Sequence, residues 1–199
     1  MYKVGITGGI GSGKSTVCEL LAAYGIAVYD SDSRAKALMA EDDSLRESLC
    51  KAFGDECYVD GALNRQYLAA KVFGDDKALA LLNSIVHPAV RADFRNWAEL
   101  QSRAYVVFES AILFEANFED EVDTTLAVLA PLEERVRRAM MRDEVSREAV
   151  LQRIEHQMSD DELHQKADRC LVNLRLEDLE GDVEQLHKRF VYEARRQEA

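Results

Sequence analysis

The chain has 199 residues, of which 47% are hydrophobic and 31% are charged, and its formal net charge is -12. This length is sufficient for one domain with a buried core, and the composition differs from that of disordered proteins. Because nucleic acids and anionic membranes attract basic surfaces, the acidic balance argues against general binding to either. We therefore expect a globular protein without a nucleic-acid or membrane partner.

The cysteines are Cys18, Cys50, Cys57 and Cys170, and none of them forms a Cys-x-x-Cys pair. This spacing does not predict a zinc site, so reduced thiols are expected. The first residues run directly into an apolar strand, and no stretch approaches the ~18 apolar residues of a membrane span. The expected compartment is the cytoplasm.

A short apolar run at residues 4–7 ends in a glycine cluster, after which apolar residues recur at helical spacing up to Gly25. Residues 26–29 form a second apolar run, and residues 30–33 then supply side chains that favour the start of a helix. This succession of strand, loop, helix and strand predicts a parallel β-α-β unit.

Residues 34–103 contain no convincing strand and several helical stretches, with breaks expected near Gly54, at Asp60-Gly61 and before Pro88. Further buried strands are predicted at 105–108, 125–128 and 170–172. Residues 132–166 are helical and densely charged. Residues 175–196 predict a C-terminal helix whose apolar side is formed by Leu176, Leu179, Val183, Leu186 and Phe190.

The alternation of strands and helices predicts an α/β fold with a doubly wound parallel sheet of five strands. We expect a single domain over residues 1–199. Its core would comprise residues 1–33, 104–131 and 167–199. A helical lobe would span residues 34–103, and a helical lid bearing arginines would span residues 132–166.

The glycine cluster at residues 8–15 satisfies the pattern Gly-x-x-x-x-Gly-Lys-Ser of a phosphate-binding P-loop. Backbone amides of such a loop point at phosphate oxygens, glycine permits the positive φ angles, and the following helix adds partial positive charge. Lys14 would reach the β- and γ-phosphates of ATP, and the Ser15 hydroxyl would bind Mg²⁺. The predicted ATP-binding residues of the loop are Gly8, Gly9, Gly11, Ser12, Gly13, Lys14, Ser15 and Thr16, with Thr16 beginning the helix proper.

Asp30 and Asp32 follow the second predicted strand, at the edge where doubly wound sheets bind ligands. One carboxylate there would deprotonate an acceptor hydroxyl, as aspartate does in kinases, while helix capping is the structural alternative. Glu109 ends the third strand and is a candidate acid near Mg²⁺, or a carboxylate facing solvent. His87 precedes Pro88, and a lone histidine in this setting more commonly shapes a turn than acts in catalysis.

Arg135, Arg138 and Arg142 are three and four residues apart, so they share one helix face. Arginines that close over the phosphates would stabilise charge on the transferring group. The alternative is a solvated face neutralised by the neighbouring acidic residues.

The sequence resembles the dephospho-CoA kinase family nearly end to end. The matching segments are ITGGIGSGKST at the start, Asp30-Ser31-Asp32, residues 60–65, residues 83–88, Leu113-Phe114-Glu115, Arg142-Asp143, and Ala167-Asp168 through Asn173. The chain departs from the family pattern at Ala111, where many members have proline, and at Ser31, where alanine is usual.

The resemblance implies a P-loop kinase fold and the transfer of the γ-phosphoryl group of ATP, with Mg²⁺, to the ribose 3′-hydroxyl of dephospho-CoA. It implies that Asp32 is the base and that Arg65 and His87 of the helical lobe hold the acceptor. Arg138 and Arg142 would belong to the lid and, with Lys14, act in catalysis, and Asn173 would lie near the adenine. ATP and dephospho-CoA would be the partners of a monomer or weak homo-oligomer.

Two alternatives remain open from the residues alone. The same P-loop could serve a kinase for a nucleoside, a nucleotide or a shikimate-like acceptor. The chain could also be a nucleotide-dependent switch, although the guanine-reading Asn-Lys-x-Asp motif is absent.

Overall fold

The computed structural model describes residues 1–197, without the side chains of residues 176 and 177, and divides into two compact units. The core unit comprises Met1–Asp30 and the chain from Ala98 onward, and the helical unit comprises Ser31–Trp97. No helix within residues 1–197 is long and apolar enough to cross a membrane.

In chain order the strands are β1 (Tyr2–Thr7), β2 (Ala27–Asp30), β3 (Tyr58–Val59), β4 (Ala62–Leu63), β5 (Tyr105–Glu109), β6 (Thr124–Leu129) and β7 (Arg169–Val172). The helices are α1 (Lys14–Ala23), α2 (Ser31–Glu41), α3 (Asp43–Phe53), α4 (Arg65–Val72), α5 (Asp76–Glu99), α6 (Leu132–Asp143), α7 (Arg147–Glu155), α8 (Asp160–Lys166) and α9 (Leu176–Gln197).

Across the described part of the core unit, five parallel strands form one sheet in the order β2-β5-β1-β6-β7. Strand β1 is central because it pairs with β5 on one side and with β6 on the other. Parallel pairing aligns the carboxyl ends of these strands at one edge of the sheet, where doubly wound folds bind ligands. The predicted five-stranded parallel sheet is confirmed, with strand bounds that differ by one or two residues.

The core unit is held together by apolar side chains on the sheet and on the helices that cover it. Val4, Ile6 and Leu126 of the strands have no exposed surface, and Leu21 of α1 and Phe190 of α9 are equally buried. The predicted apolar side of the C-terminal helix agrees with this packing at Leu179, Val183 and Phe190, whereas Leu176 lies outside the described side chains.

The helical unit contains a short hairpin where no strand was expected. Strands β3 and β4 pair antiparallel, with Tyr58 opposite Leu63. The connecting residues Asp60 and Gly61 both have positive φ, at 50° and 84°. An Asp-Gly pair in this conformation closes a two-residue hairpin, so the predicted helix break is a tight turn between two strands. Each of these strands is too short to show an apolar pattern in the sequence.

Helix α5 continues through Pro88, so the helix break predicted before this residue is wrong. Proline removes one backbone hydrogen bond and costs about 3 kcal/mol in a helix interior. Val86, Val90 and Phe94 recur at four-residue spacing and are buried, and their packing offsets that cost.

The predicted helical stretch over residues 132–166 consists of α6, α7 and α8. Helix α6 ends at Asp143, and the next residue, Glu144, has a positive φ of 54°. Helix α7 begins after Ser146, whose hydroxyl accepts the amide of Ala149, and α8 begins after Ser159, which forms a capping box with Glu162. Local capping residues therefore divide this segment into the helices α6, α7 and α8.

We predict that Phe190→Ala lowers the free energy of unfolding by about 3–5 kcal/mol, because it leaves a cavity beside β5. Phe190 is fully buried and contacts the ring of Tyr105 edge-on at 5.5 Å between centroids. Urea denaturation measures the loss. Tyr192→Ala on the same helix is the control, since Tyr192 is 56% exposed and its removal should change stability by less than about 0.5 kcal/mol. Equal losses in both variants would contradict the described packing of α9.

Candidate active site

The glycine-rich loop joins β1 to α1 at the carboxyl edge of the sheet. Helix α1 begins at Lys14, two residues earlier than predicted, because Gly13 occupies the N-cap position with φ 96° and its carbonyl accepts the amide of Val17 at 3.1 Å. The amides of Lys14 and Ser15 therefore belong to the first helical turn, whose N–H groups have no partner within the helix. These amides and the helix dipole form a site that favours anions.

Two glycines of the loop are required by close contacts as well as by their backbone conformation. Gly11 has φ 76°, and a Cβ atom there would lie 2.1 Å from the backbone oxygen of Arg135. Gly13 has φ 96°, and a Cβ atom there would lie 2.1 Å from Nδ2 of Asn173. Any larger residue at these positions would displace the loop from the elements packed against it.

Lys14 and Ser15 both contact Glu109, which ends the neighbouring strand β5. The Lys14 ammonium donates to Oε1 of Glu109 at 2.5 Å, and the Ser15 hydroxyl donates to the same oxygen at 3.1 Å. Glu109 is only 8% exposed, so it does not face solvent. The parallel pairing of β1 with β5 brings an ammonium, a hydroxyl and a carboxylate together beside the loop.

Asn173 follows strand β7 and is buried against the loop. Its Nδ2 donates to the carbonyl of Ser12 at 2.9 Å, and its backbone amide donates to the carbonyl of Leu129 at 2.7 Å. This residue therefore joins the ends of β6 and β7 to the phosphate-binding loop.

The three arginines of α6 that were predicted to share one helix face differ in depth. Arg135 is 3% exposed, pairs with Asp160 at 2.6 Å and donates to the carbonyl of Ile10 at 3.1 Å. The guanidinium of Arg138 lies near the carbonyl of Asn173 at 3.4 Å. The side chain of Arg142 is 60% exposed and pairs with Asp143, which raises the pKa of Arg142 above its usual value. The helix face expected to be shared is therefore buried against the loop at Arg135 and open to solvent at Arg142.

The remaining predicted site residues belong to the helical unit. Asp32 is exposed in the first turn of α2, which begins one residue earlier at Ser31, so Asp32 lies inside the helix and not at its cap. Arg65 is exposed and begins α4, while His87 is half-buried within α5. Burial lowers the pKa of His87, and the charge of Arg91 adds to this effect, so its imidazole is neutral at pH 7.

Sequence reasoning missed two residues that contact the loop or its neighbours. Oε1 of Gln157 accepts the amide of Ile10 at 2.8 Å, and Asp160 holds the buried guanidinium of Arg135. The Ser-x-x-Glu pattern at residues 159–162 identifies the start of α8 and thus the location of Asp160. No local pattern singles out Gln157, because its partner is 147 positions away in the chain.

A cleft of about 620 Å³ lies next to this site in the core unit. Helix α6 contributes Arg138, Met141 and Arg142 to its lining, and Leu174 and Arg175 contribute from the segment after β7. The lining thus combines cationic side chains with the carboxylate of Glu134 and the apolar side chains of Met141 and Leu174.

Comparison with known proteins identifies relatives over most of the chain. The family model described as "CoaE: Dephospho-CoA kinase" matches residues 2–178. Dephospho-CoA kinase from Bacteroides fragilis is 44% identical over 172 residues, which cover 86% of this chain and 84% of the relative. The crystal structure of TT1252 from Thermus thermophilus is 41% identical with a TM-score of 0.82, covering 93% of this chain and 95% of that one. Dephospho-CoA kinase from Campylobacter jejuni shares the fold, with a TM-score of 0.69 at 23% identity over 96% of this chain and 97% of that one.

We predict that Gly11→Ala weakens ATP binding by at least about tenfold, because the new methyl group forces the loop away from α6 and misplaces its amides. Calorimetric titration with Mg-ATP measures the change. Gly74→Ala is the matched control, since Gly74 also has positive φ, at 73°, but nothing lies within 4 Å of an added Cβ atom. The control should lose some stability from backbone strain and retain ATP affinity. Unchanged affinity in Gly11→Ala would contradict the assignment of the loop.

Proposed function

The chain belongs to the dephospho-CoA kinase family, and we propose how its residues carry out the reaction of that family. It catalyses the ATP-dependent phosphorylation of dephospho-CoA, the last step of coenzyme A biosynthesis. The phosphoryl group goes to the ribose 3′-hydroxyl. The observation that carries the assignment of the active site is the convergence of Lys14 and Ser15 on Glu109 beside a glycine-rich loop, in a chain matched by the family model from residue 2 to residue 178.

The polyphosphate of ATP is bound by the amides of residues 8–16 and by the ammonium group of Lys14. An ammonium group has three N–H donors, so Lys14 can keep its bond to Glu109 and still donate to the β- and γ-phosphates. The first turn of α1 adds partial positive charge at the same place. These groups stabilise the negative charge that develops on the transferring group.

Ser15 and Glu109 fit a magnesium ion. Their side chains offer hard oxygen ligands within hydrogen-bonding distance of each other, and Mg²⁺ is commonly held by one or two such groups together with substrate phosphates. Within residues 1–197 no cluster of three or more His, Cys, Asp or Glu side chains is arranged to hold a metal, so phosphate oxygens and water would complete the coordination. When bound, the ion would neutralise charge on the β- and γ-phosphates.

The base of ATP is proposed to lie near Asn173, over the cleft formed by α6 and the segment after β7. Apolar surface from Met141 and Leu174 suits the faces of a purine, and Arg138 is placed to stack on it or to donate to phosphate. Arg138 and Arg142 carry the catalytic role of the lid, since a guanidinium near the transferred phosphoryl group can contribute a factor of about 10³ or more in rate.

The acceptor is proposed to bind through the helical unit, with Arg65 pairing with its anionic groups and neutral His87 donating or accepting a hydrogen bond. Asp32 removes the proton of the 3′-hydroxyl as the oxygen attacks the γ-phosphorus, and the bond to the bridging oxygen of ADP breaks. The place of Asp32 in the chain supports this role, because it follows the last residue of β2 by two residues, and doubly wound sheets bind ligands beyond the ends of their strands. Residues 34–103 would thus act as the acceptor lobe and residues 132–166 as the lid of a single kinase domain.

We further propose that the protein acts in the cytoplasm as a monomer or weak homo-oligomer. Cys18, Cys50, Cys57 and Cys170 are all free, which suits a reducing compartment.

Incubation of the purified protein with Mg-ATP and dephospho-CoA should release ADP only when acceptor is present. A panel of acceptors that includes shikimate, nucleosides and nucleotides provides the control, and each should give only background turnover. ADP release that is equal with and without acceptor would indicate a hydrolysing switch, and preference for another acceptor would reassign the substrate.

We predict that Asp32→Asn lowers kcat by about 10²–10⁴-fold and leaves ATP affinity nearly unchanged, because the amide cannot accept the proton of the hydroxyl group. Steady-state kinetics combined with calorimetry separate the two quantities. Asp30→Asn is the companion variant, since Asp30 ends β2 two residues earlier and is expected to have the smaller effect. A near wild-type rate for Asp32→Asn, or a larger loss for Asp30→Asn, would refute the assignment of the base.

A further inference from the structure

One residue of the phosphate-binding loop, Ile10, is held through its backbone by two side chains that lie far away in the chain. The amide of Ile10 donates to Oε1 of Gln157 at 2.8 Å, and the carbonyl of Ile10 accepts from Nε of Arg135 at 3.1 Å. Both the donor and the acceptor of this residue are therefore satisfied by residues 132–166, and neither is satisfied by the loop itself. We call Arg135, Gln157 and Asp160 the loop clamp.

Arg135 is fixed in place by burial and by a second bond. It is 3% exposed, and its Nη1 donates to Oδ1 of Asp160 at 2.6 Å, at the beginning of α8. The capping box of Ser159 and Glu162 in turn fixes the first turn of α8. A buried guanidinium with a carboxylate at one end and a loop carbonyl at the other has little rotamer freedom, which makes it suited to fixing the position of its partner.

Two glycines of the loop pack directly against Arg135. A Cβ atom on Gly9 would lie 1.9 Å from Nη2 of Arg135, and one on Gly11 would lie 2.1 Å from its backbone oxygen. Arg135 thus packs along the loop from Gly9 to Gly11, and Nη2 is a buried atom without a hydrogen-bond partner among the described residues. The absence of side chains at these positions permits this contact.

We propose that Arg135 and Gln157 are positioning residues for ATP binding, acting through the backbone of Ile10. By holding the N–H and the C=O of Ile10 they keep the loop amides aimed at the polyphosphate before the nucleotide arrives, so the entropy cost of ordering the loop is met during folding and not during binding. The inference rests on the proposed nucleotide site at the loop. Loss of either side chain weakens ATP binding and leaves acceptor binding intact.

The experiment compares Arg135→Met, Arg135→Lys and Gln157→Met with the wild type by calorimetric titration with Mg-ATP and by steady-state kinetics. The Met variants should weaken ATP binding by at least about tenfold and raise the KM for ATP, since small misplacement of binding groups has effects of this order. The KM for dephospho-CoA should stay within about twofold. Arg135→Lys keeps the charge but loses the planar fork, so it should resemble Arg135→Met.

Arg189→Met is the matched control, because Arg189 is an exposed arginine of α9 whose carboxylate partner is Glu193 at 2.6 Å. It should bind ATP as the wild type does. The double variant of Arg135 and Gln157 should lose less affinity than the product of the single losses, because both side chains hold the backbone of one residue, Ile10.

Other outcomes of these measurements would contradict either the role of the loop clamp or the nucleotide site itself. Wild-type ATP affinity in both Met variants would overturn the proposed role of the loop clamp. Wild-type ATP affinity in Arg135→Lys would overturn it as well. Equal increases in both KM values would indicate a merely structural role and also overturn it. If Arg135→Met does not fold, Gln157→Met decides, since Gln157 is only partly buried. Failure of the wild type to bind Mg-ATP would instead overturn the nucleotide site on which the inference rests.

Discussion

Parallel pairing of β1 with β5 and β6 is the constraint on which the candidate active site of the core unit depends. Because the three strands run in the same direction, the loop after β1, Glu109 at the end of β5 and the chain after β6 meet at one edge of the sheet. The same register brings the ammonium of Lys14 to the carboxylate of Glu109. A shift in pairing would separate these groups even if each local element still formed.

The phosphate-binding loop is constrained on several sides. Glycines allow its curvature and the start of α1 directly after Gly13. Asn173 bonds the carbonyl of Ser12, while Arg135 and Gln157 bond the carbonyl and the amide of Ile10. Since flexible glycine-rich segments lose more conformational entropy on ordering than other segments, these outside contacts explain how such a loop can hold a fixed shape.

The segment predicted as a lid is attached to the loop near both of its ends, through Arg135 of α6 and Gln157 before α8. Arg142 and Arg147 form exposed ion pairs, which contribute little to stability. The contact between α6 and α7 depends instead on apolar side chains, because Val150 of α7 is fully buried in a cluster with Val136 of α6. Packing therefore holds α6 and α7 together between the two attachments.

Local patterns in the sequence were sufficient to predict the P-loop, the five parallel strands and the long C-terminal helix, because apolar periodicity and glycine spacing are properties of neighbouring residues.

The hairpin at residues 58–63 was not predicted, because its strands are too short to show a periodic pattern. The uninterrupted course of α5 through Pro88 was not predicted either, because the packing of Val86, Val90 and Phe94 overrides the cost of proline in the helix. Arg135 and Gln157 both bond to Ile10, which is more than a hundred positions away from each of them in the chain. Such contacts are set by how α6 and α8 pack against the loop, and no window of neighbouring residues contains that information.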